Sequence, residues 1–499
     1  MVVPHRRVVI VGTGFSGLGM AVRLTQQGED DFVLLERADD VGGTWRDNRY
    51  PGCACDVPSR LYSFSFDQKP DWSRDYASAP EIWGYLRAVA QRHHLRDKIV
   101  FGADLEQARY DAARQRWALT TADGRQWTAD ALVLGVGALH EPKRPDFPGL
   151  EDFTGEVMHT ARWPERDDLD GRRVAVVGTG ASTIQLLPEL APRAARTTVF
   201  QRTPAWTLPK RDLRWTARRQ RAFRRYPALQ RAVRWSTFWR MEAQVPLFVG
   251  FPLVARAAEA IARRELAKSV RDPQVRAKLT PDYTLGCKRV LLSSSYWPAF
   301  DRDDVDLVTA AIARVEPDAV VTADGTRHEV DAIVLATGFS LTGSYDRMAV
   351  RGLHGRTLDD AWAEGAKSHL GITVAGFPEL YLLLGPNTGL GHSSVVMMTE
   401  FATRYILQGL DRGRSGARVT TEAAQDAFTA EMRRRSRHTV WATGCKSWYL
   451  DKFGHNAALW PGSSVAYWWR TRTMDDSVFE RLEVRTPAAP PSAKDSVDA

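Results

Sequence analysis

The strongest constraint on the fold is a glycine pattern near the start of the chain. Gly12, Gly14 and Gly17 form the spacing G-x-G-x-x-G. They follow the β-branched run Arg7–Val11, typical of a strand buried on both faces, and open a helical stretch to about Gln27. Glycines allow backbone N–H groups to approach a pyrophosphate closely at the helix N-terminus. The pattern therefore predicts a β-α-β unit that binds a dinucleotide.

The end of the next strand indicates which dinucleotide this unit prefers. We expect that strand at Phe32–Glu36, and Glu36 lies 24 residues after Gly12. A carboxylate at this position accepts hydrogen bonds from both ribose hydroxyls and repels a 2′-phosphate. The first unit is therefore predicted to bind FAD or NAD rather than NADP.

A second unit of the same kind begins 166 residues later. It is predicted to comprise strand Arg173–Val177, helix Ser182–Leu190 and strand Thr197–Gln201. Its turn reads Gly178-x-Gly180-x-x-Thr183, in which Thr183 replaces the third glycine. We expect the added Cβ to crowd the contact between helix and strand, so this motif is weaker than the first.

The charge at the end of this second unit is opposite to that of the first. Arg202 lies 24 residues after Gly178, at the position that Glu36 has in the first unit. A cation there suits a 2′-phosphate. Two turns with opposite charges imply two cofactors, and we assign FAD to the first and NADPH to the second. Further strands are predicted at Ala131–Leu134, Ala332–Ala336 and Leu380–Leu384, which completes an α/β fold with two Rossmann-like domains.

The composition excludes several other classes of protein. The 499 residues are 44% hydrophobic and 26% charged, which predicts a globular chain of two to four domains. The net charge of +8 is a mild excess with no base-reading module, so we expect no nucleic-acid binding. Four cysteines argue against a disulfide scaffold and fit a reducing cytoplasm. No signal peptide and no run of about eighteen apolar residues is found, so stable membrane insertion is not expected.

Residues 211–275 stand out as helical and basic, with Trp and Phe among the arginines. In one interpretation this is an amphipathic insertion whose aromatic side chains face a core and whose arginines face water. In the other it is a face that binds a membrane surface or a partner. The tail from Thr486 is rich in Pro, Ala and Ser, and we expect it to be disordered.

Two longer motifs connect the chain to a known family. Residues 153–164 fit F-x-G-x-x-x-H-x-x-x-W-P through Phe153, Gly155, His159, Trp163 and Pro164. Residues 43–56 fit G-x-W-x-x-x-x-Y-P-G-x-x-x-D. In these motifs the chain resembles type I Baeyer–Villiger monooxygenases, which are class B flavoprotein monooxygenases. The resemblance extends from about residue 7 to 470, and 211–275 is its least typical part.

The resemblance implies a discontinuous FAD domain. The implied segments are 1–150 and 336–485 for FAD, 151–335 for NADPH with the helical insertion at about 211–275, and a disordered tail at 486–499. His159 and Trp163 would then lie in the linker between the domains. In this family the histidine resembles a structural coupler of domain movement rather than a base.

The resemblance also implies a reaction and its residues. NADPH reduces FAD, reduced FAD and O2 form a C4a-peroxide, and this converts a ketone to an ester or lactone. Arg289 matches the active-site arginine that stabilises the peroxide, and Asp56 matches the carboxylate that pairs with it. Lys288 is expected to assist Arg202 and Thr203 at the 2′-phosphate. The predicted cofactor-binding residues are Gly12, Gly14, Gly17, Glu36, Gly43, Thr44, Trp45, Asp56, Gly178, Gly180, Ser182, Thr183, Arg202, Thr203, Lys288 and Asn387.

Three alternatives stay open on the sequence. An N- or S-oxygenating monooxygenase of the same architecture would take a heteroatom substrate with O2 in place of a ketone. A flavin disulfide reductase would need a redox-active cysteine pair, and Cys53-Ala-Cys55 has a spacing that strains the ring. A non-enzymatic flavoprotein would show no NADPH turnover. The C-terminal aromatics Trp441, Trp448, Phe453 and Trp460 are expected to be mostly core, with some lining the pocket.

Overall fold

The computed structural model describes residues 3–250, 252–340, 343–445 and 447–483, so the predicted disordered tail lies outside the described residues. The strands, in chain order, are β1 His5–Val11, β2 Phe32–Leu35, β3 Ile99–Val100, β4 Leu105–Asp111, β5 Arg116–Thr121, β6 Gln126–Leu134, β7 Glu156–His159, β8 Arg173–Val177, β9 Arg196–Phe200, β10 Thr207–Leu208, β11 Leu291–Leu292, β12 Val305–Val308, β13 Ile312–Glu316, β14 Ala319–Thr322, β15 Arg327–Glu329, β16 Ala332–Leu335, β17 Ala349–Arg351, β18 Leu380–Leu382, β19 Arg418–Thr420 and β20 Phe479–Arg481. The helices are α1 Phe15–Gln26, α2 Thr44–Asp47, α3 Ala79–Arg92, α4 Ala181–Leu190, α5 Ala217–Arg225, α6 Pro227–Glu242, α7 Val245–Phe248, α8 Pro252–Ser269, α9 Pro273–Lys278, α10 Gly343–Asp346, α11 Leu358–Ala361, α12 Val395–Gly413, α13 Glu422–Ser436 and α14 Ser464–Thr471.

The first sheet has the strand order β17-β4-β5-β6-β1-β2-β3, and β18 pairs with β6. Strand β1 lies between β6 and β2 and is parallel to both. Its residues Val8, Val9 and Ile10 have no exposed surface. This burial on both faces explains the continuous β-branched run in the sequence.

The second sheet has the order β12-β9-β8-β16-β7, with every pair parallel. Each sheet contains a strand, a glycine turn, a helix and a second parallel strand, namely β1-α1-β2 and β8-α4-β9. The predicted α/β fold with two Rossmann-like units is therefore confirmed. Predicted strand ends differ from the observed ones by one or two residues at most positions, and β6 begins five residues earlier than predicted.

Strands from late in the chain return to the first sheet. Strand β17 pairs with β4, and β18 pairs with β6, although both follow the last strand of the second sheet. The pairings between β1 and β6 and between β18 and β6 bring together strands that are far apart in the chain, on the sheet that carries the turn after β1.

The basic segment is helical, as predicted, and comprises α5 to α9. The expectation that its aromatic side chains face a core holds only in part. Phe223 and Phe238 are buried, whereas Trp235 and Trp239 are 60% and 58% exposed. Only one side of α6 packs on the rest of the protein. Among the described residues, no helix is long and apolar enough to cross a membrane.

The cysteine count did not anticipate one covalent link. Cys287 and Cys445 form a single disulfide across 158 residues, whereas the expectation from the cysteine count concerned a scaffold of several such bonds. The bond fixes the loop after α13 to the segment that carries Lys288 and Arg289. Cys53 and Cys55 are free and buried.

Candidate active site

The first glycine turn leaves no room for side chains at two of its three positions. Gly12 has φ +94°, and a Cβ there would lie 2.8 Å from the carbonyl oxygen of Gly135. A Cβ on Gly17 would lie 1.8 Å from the carbonyl oxygen of Gly12. Helix α1 therefore approaches β1 as closely as backbone allows, and its N-terminus is free to bind a phosphate.

Glu36 is buried beside this turn. Its carboxylate accepts hydrogen bonds from the backbone N–H and hydroxyl of Thr13, at 3.0 and 2.6 Å, and from the backbone N–H of Ala38. It also pairs with Arg46, whose Nη1 lies 2.9 Å from Oε1. A ribose that binds Glu36 would share the carboxylate with these groups. Because Arg46 offsets the negative charge of Glu36, this carboxylate repels a 2′-phosphate less than an unpaired carboxylate would.

The second glycine turn accommodates its threonine with a hydrogen bond. A Cβ on Gly178 would lie 2.6 Å from the carbonyl oxygen of Ala336. Thr183 is buried, and its hydroxyl donates to the carbonyl oxygen of Gly178 at 2.8 Å. The threonine is therefore held to the turn by a polar contact, which the spacing did not predict. A Cβ on Gly180 would meet nothing within 4 Å, so the turn is open where a ligand would lie.

Two cations lie together beside this open turn. Thr179 donates a hydrogen bond to the carbonyl oxygen of Thr203 at 2.7 Å, which fixes the loop that carries Arg202. Burial and the positive charge of nearby Arg202 lower the pKa of Lys288, against the opposing charge of Asp282. Like charges held close together favour an anionic ligand between them, as a 2′-phosphate would be.

The segment 43–56 lies between the two turns. A Cβ on Gly43 would lie 3.2 Å from Cα of Gly14, at the first turn. At the other end, a Cβ on Gly52 would lie 2.3 Å from the carbonyl oxygen of Gln185 in α4. Tyr50 donates a hydrogen bond to the Gln185 side chain at 2.8 Å. The glycines of this motif are therefore required where the two dinucleotide units touch.

Thr44 and Trp45 of this segment are the first two residues of α2. Thr44 donates a hydrogen bond to the carbonyl oxygen of Leu139 at 3.4 Å. Trp45 packs edge-on against Tyr62, with ring centroids 5.5 Å apart, and its indole N–H lies 3.3 Å from the tyrosine oxygen. Trp45 packs against two hydrophobic cores, one beside the first sheet and one beside the second, so it lies where these cores meet.

Asp56, at the end of the segment, forms an ion pair with Arg289. Nε and Nη2 of Arg289 donate to the two carboxylate oxygens of Asp56, both at 2.8 Å. The Asp56 charge raises the pKa of Arg289 against the opposing effect of burial. The two side chains remain 30% and 25% exposed, so a ligand can reach them. The sequence prediction that these residues meet is correct.

Two further residues border this ion pair. Tyr449 is buried, and burial raises its pKa to about 12, against an opposing hydrogen bond with Arg289. Burial lowers the pKa of Lys210, which lies near Asp212, Cys55 and Asp56. Neither Tyr449 nor Lys210 was predicted from the sequence as a site residue. Tyr449 follows Trp448 in an aromatic stretch that we expected to be mostly core, and Lys210 lies in no motif.

His159 occupies a buried position at the end of β7. Its Nδ1 accepts a hydrogen bond from the backbone N–H of Ala161 at 3.0 Å, and Nε2 lies 3.3 Å from the Thr337 hydroxyl. Burial, assisted by Arg144 and Arg162, lowers the pKa of His159 to about 4. The imidazole is therefore neutral near pH 7.

The other residues of the linker fingerprint have packing roles. A Cβ on Gly155 would lie 2.3 Å from the carbonyl oxygen of Asp331. Phe153 is buried in the core around the second sheet. Trp163, followed by the half-buried Pro164, donates from its indole N–H to Asp167 at 3.1 Å.

Asn387 is the predicted cofactor residue whose contacts fit that role least. Its amide donates to the carbonyl oxygens of Asn456 and Leu459, at 2.7 and 3.3 Å. Ser182, in contrast, lies at the start of α4, beside Tyr50. Asn387 therefore holds the loop at 456–459 in place.

The two free cysteines are buried thiols. Cys53 and Cys55 are both buried, and burial raises the pKa of the Cys53 thiol to about 12 and that of Cys55 further. Thiols of this kind react poorly, because the thiolate is the nucleophile. This disfavours a flavin disulfide reductase. No cluster of metal-ligating side chains occurs within the described ranges.

Two glycine turns, each between two parallel strands and a helix, are joined by one segment that ends at a charged pair, and together they define a two-dinucleotide oxidoreductase. The family model of flavin-binding monooxygenase-like proteins matches residues 5–216. A Baeyer–Villiger monooxygenase of Pseudomonas aeruginosa is 42% identical over 95% of this chain and 91% of its own. One of Streptomyces coelicolor is 44% identical over 96% and 93%.

Solved structures agree with these relatives. Cyclohexanone monooxygenase from Rhodococcus sp. Phi1, bound to NADP+, has a TM-score of 0.88 at 28% identity and covers 96% of this chain and 99% of its own. A steroid monooxygenase bound to NADP has a TM-score of 0.86 at 31% identity, covering 96% and 100%. The chain belongs to the Baeyer–Villiger monooxygenases of the flavin-binding monooxygenase-like family.

Proposed function

We propose that this enzyme uses FAD, NADPH and O2 to insert one oxygen atom into a ketone, giving an ester or a lactone. The observation that carries the proposal is the bidentate Arg289–Asp56 pair at the end of the segment that joins the two glycine turns. A fixed cation there stabilises negative charge that develops during oxygen transfer. The relatives named above carry the same activity in their names.

The two turns suit the two cofactors. FAD fits the first, where α1 approaches β1 closely and Glu36 can accept from a ribose. NADPH fits the second, where Arg202 and Lys288 provide the positive charge for a 2′-phosphate. A related structure contains both FAD and NADP. When bound, reduced FAD activates O2 for transfer of one oxygen atom to the substrate.

The protein residues have distinct proposed tasks. Arg289 holds a permanent positive charge at the reacting centre, because guanidinium stays protonated at any working pH. Asp56 fixes the direction of that guanidinium through two hydrogen bonds. Tyr449 closes the side of the pair that faces the C-terminal loop, and excludes water there.

The domain assignment supports this division of tasks. We propose segments 1–150 and 336–485 for FAD and 151–335 for NADPH, with His159 as a neutral structural residue between them. Strands from both FAD segments share the first sheet. We propose that its substrate is a small organic molecule.

The test is NADPH consumption against a panel of ketones, sulfides and amines, with analysis of each product. Ester or lactone from at least one ketone, in step with NADPH oxidation, supports the proposal. Sulfoxide or N-oxide without ester from any ketone would replace it with heteroatom oxygenation. NADPH oxidation that yields only H2O2 with every substrate would remove the oxygenase assignment.

A further inference from the structure

Helix α6 presents an apolar stripe to solvent. Its exposed apolar residues recur at helical spacing and comprise Ala228, Leu229, Ala232, Trp235 and Trp239. Trp235 and Trp239 are 60% and 58% exposed, and Leu229 is 45% exposed. Large apolar side chains grouped on one exposed face mark an interaction site more often than isolated ones do.

The buried side and the C-terminal end of α6 are held firmly in the protein. Arg234 donates hydrogen bonds to the carbonyl oxygens of Arg60 and Ser63, at 2.6 and 3.1 Å. At the helix end, Glu242 is buried, accepts from the Ser464 hydroxyl and lies 3.0 Å from His392. These polar anchors fix the rotation of the helix, so the outward direction of both tryptophans is set by the fold.

Arginines border the stripe on both sides. With about 100° between successive residues, Arg231 lies about 40° to one side of Trp235, and Arg240 lies about 20° beyond Leu229. Both arginines are exposed. Long cationic side chains at the edge of an apolar face can reach charged groups while the apolar centre is buried.

The charge of the chain is concentrated in this region. Residues 211–275 contain fifteen Arg or Lys and five Asp or Glu, a net of +10, whereas the whole chain carries +8. The rest of the protein is therefore slightly negative. A surface that binds here must be anionic and must also accept apolar side chains.

We propose that the outward face of α6 binds peripherally to an anionic phospholipid membrane. A central apolar stripe with tryptophans and bordering arginines suits the boundary between headgroups and acyl chains. A second copy of the chain would bring two strongly basic faces together, which like-charge repulsion disfavours. Nucleic acid would meet apolar groups at the centre of the face, where phosphates need cations.

The experiment is co-sedimentation of the FAD-loaded protein with phosphatidylcholine vesicles, with and without phosphatidylserine. The W235S/W239S double variant removes the stripe, and Trp469→Ser is the matched control, because Trp469 is 58% exposed on α14 outside this region. We expect wild type and control to bind only the anionic vesicles, less at high salt, and the double variant to bind about tenfold more weakly. Circular dichroism and FAD content establish that the variants are folded.

Two results would overturn the proposal. One is equal sedimentation of wild type and the double variant with anionic vesicles. The other is no vesicle binding together with a concentration-dependent dimer, seen by light scattering, that the double variant lacks, because a second copy would then cover the stripe. Neither result depends on NADPH or on a substrate, so the proposed oxygenation is tested separately.

Discussion

Arg289 and Asp56 lie 233 residues apart in the chain and join through two parallel hydrogen bonds of 2.8 Å. The pair connects the segment that bridges both glycine turns to the loop that follows the helical region. Each partner reaches it from a different part of the chain, so its geometry depends on how the two sheets pack. A bidentate pair needs both side chains in one specific geometry, so substitution of either residue tests the function directly.

Replacing Arg289 should abolish oxygen transfer without loss of flavin. We expect R289A to keep its bound FAD and to form ester about 10²–10³-fold more slowly, because one well-placed charge contributes about this much to rate. R302A is the matched control, since Arg302 also makes a bidentate pair, with Asp304 at the surface. Product formation close to wild type in R289A would remove Arg289 from the reaction.

Variants of Asp56 separate charge from geometry at the same pair. D56A leaves the guanidinium without its partner, so more NADPH should end as H2O2 per ester formed. D56E keeps the charge and should recover part of the coupling. If D56A couples NADPH oxidation to product as well as wild type does, Asp56 has no role beyond packing.

Preference for NADPH over NADH should depend on Arg202 and Lys288 together. A charge-assisted contact with phosphate contributes about 1.5–3 kcal/mol, so R202A should narrow the ratio of kcat/KM values about tenfold or more, and R202A/K288A further. R196A is the control. Arg196 begins β9, the strand that ends just before Arg202, and it pairs with Asp306 rather than facing the second glycine turn. An unchanged ratio in the double variant would place the 2′-phosphate elsewhere.

The Cys287–Cys445 bond should stabilise the fold measurably. It closes a long loop, and removal of such a bond costs about 2–4 kcal/mol. C287S/C445S should therefore unfold at lower denaturant, and dithiothreitol should shift wild type in the same direction, entering through the half-exposed Cys445. Dithiothreitol should leave the double variant unchanged. An identical midpoint for wild type with and without reductant would contradict this.

The stability of the fold should fall in mild acid partly because of His159. Its folded pKa of about 4 lies below the ordinary value near 6.5, so between these values only the unfolded chain gains a proton. The free energy of unfolding should therefore decrease as pH falls from about 6.5 to 4, and less steeply in H159Q. H438Q, at an exposed histidine, should keep the wild-type slope. Equal slopes in wild type and H159Q would show that folding does not lower the pKa of His159.

The sequence predicted the parts of the site that depend on local backbone. The glycine turns and their strands follow from motifs whose spacing is fixed by close backbone approach, whereas the meeting of Asp56 with Arg289 was implied by the family resemblance. It did not predict the hydrogen bond from Thr183 to Gly178, because that bond depends on a rotamer that spacing does not specify. It also missed Arg46 beside Glu36, since one helical turn brings the guanidinium back to the strand end.

Local sequence patterns could not predict contacts between segments that are far apart in the chain. Tyr449 reaches Arg289 only because the loop after α13 folds over the site, and the Cys287–Cys445 bond fixes that loop. In one interpretation of the sequence, Trp235 and Trp239 were predicted to face a core. Their exposure follows from the anchors that fix the rotation of α6, Arg234 on its buried side and Glu242 at its C-terminal end.

The central claim is that one atom of O2 enters the carbon skeleton of a ketone. The measurement is turnover of a ketone with NADPH under O2 enriched in heavy oxygen, followed by mass spectrometry of the product. We predict an ester or lactone that carries a single heavy oxygen atom, at close to one molecule per NADPH consumed. An ester without the label, or label found only in H2O2 or in oxidised sulfides and amines, would contradict the account.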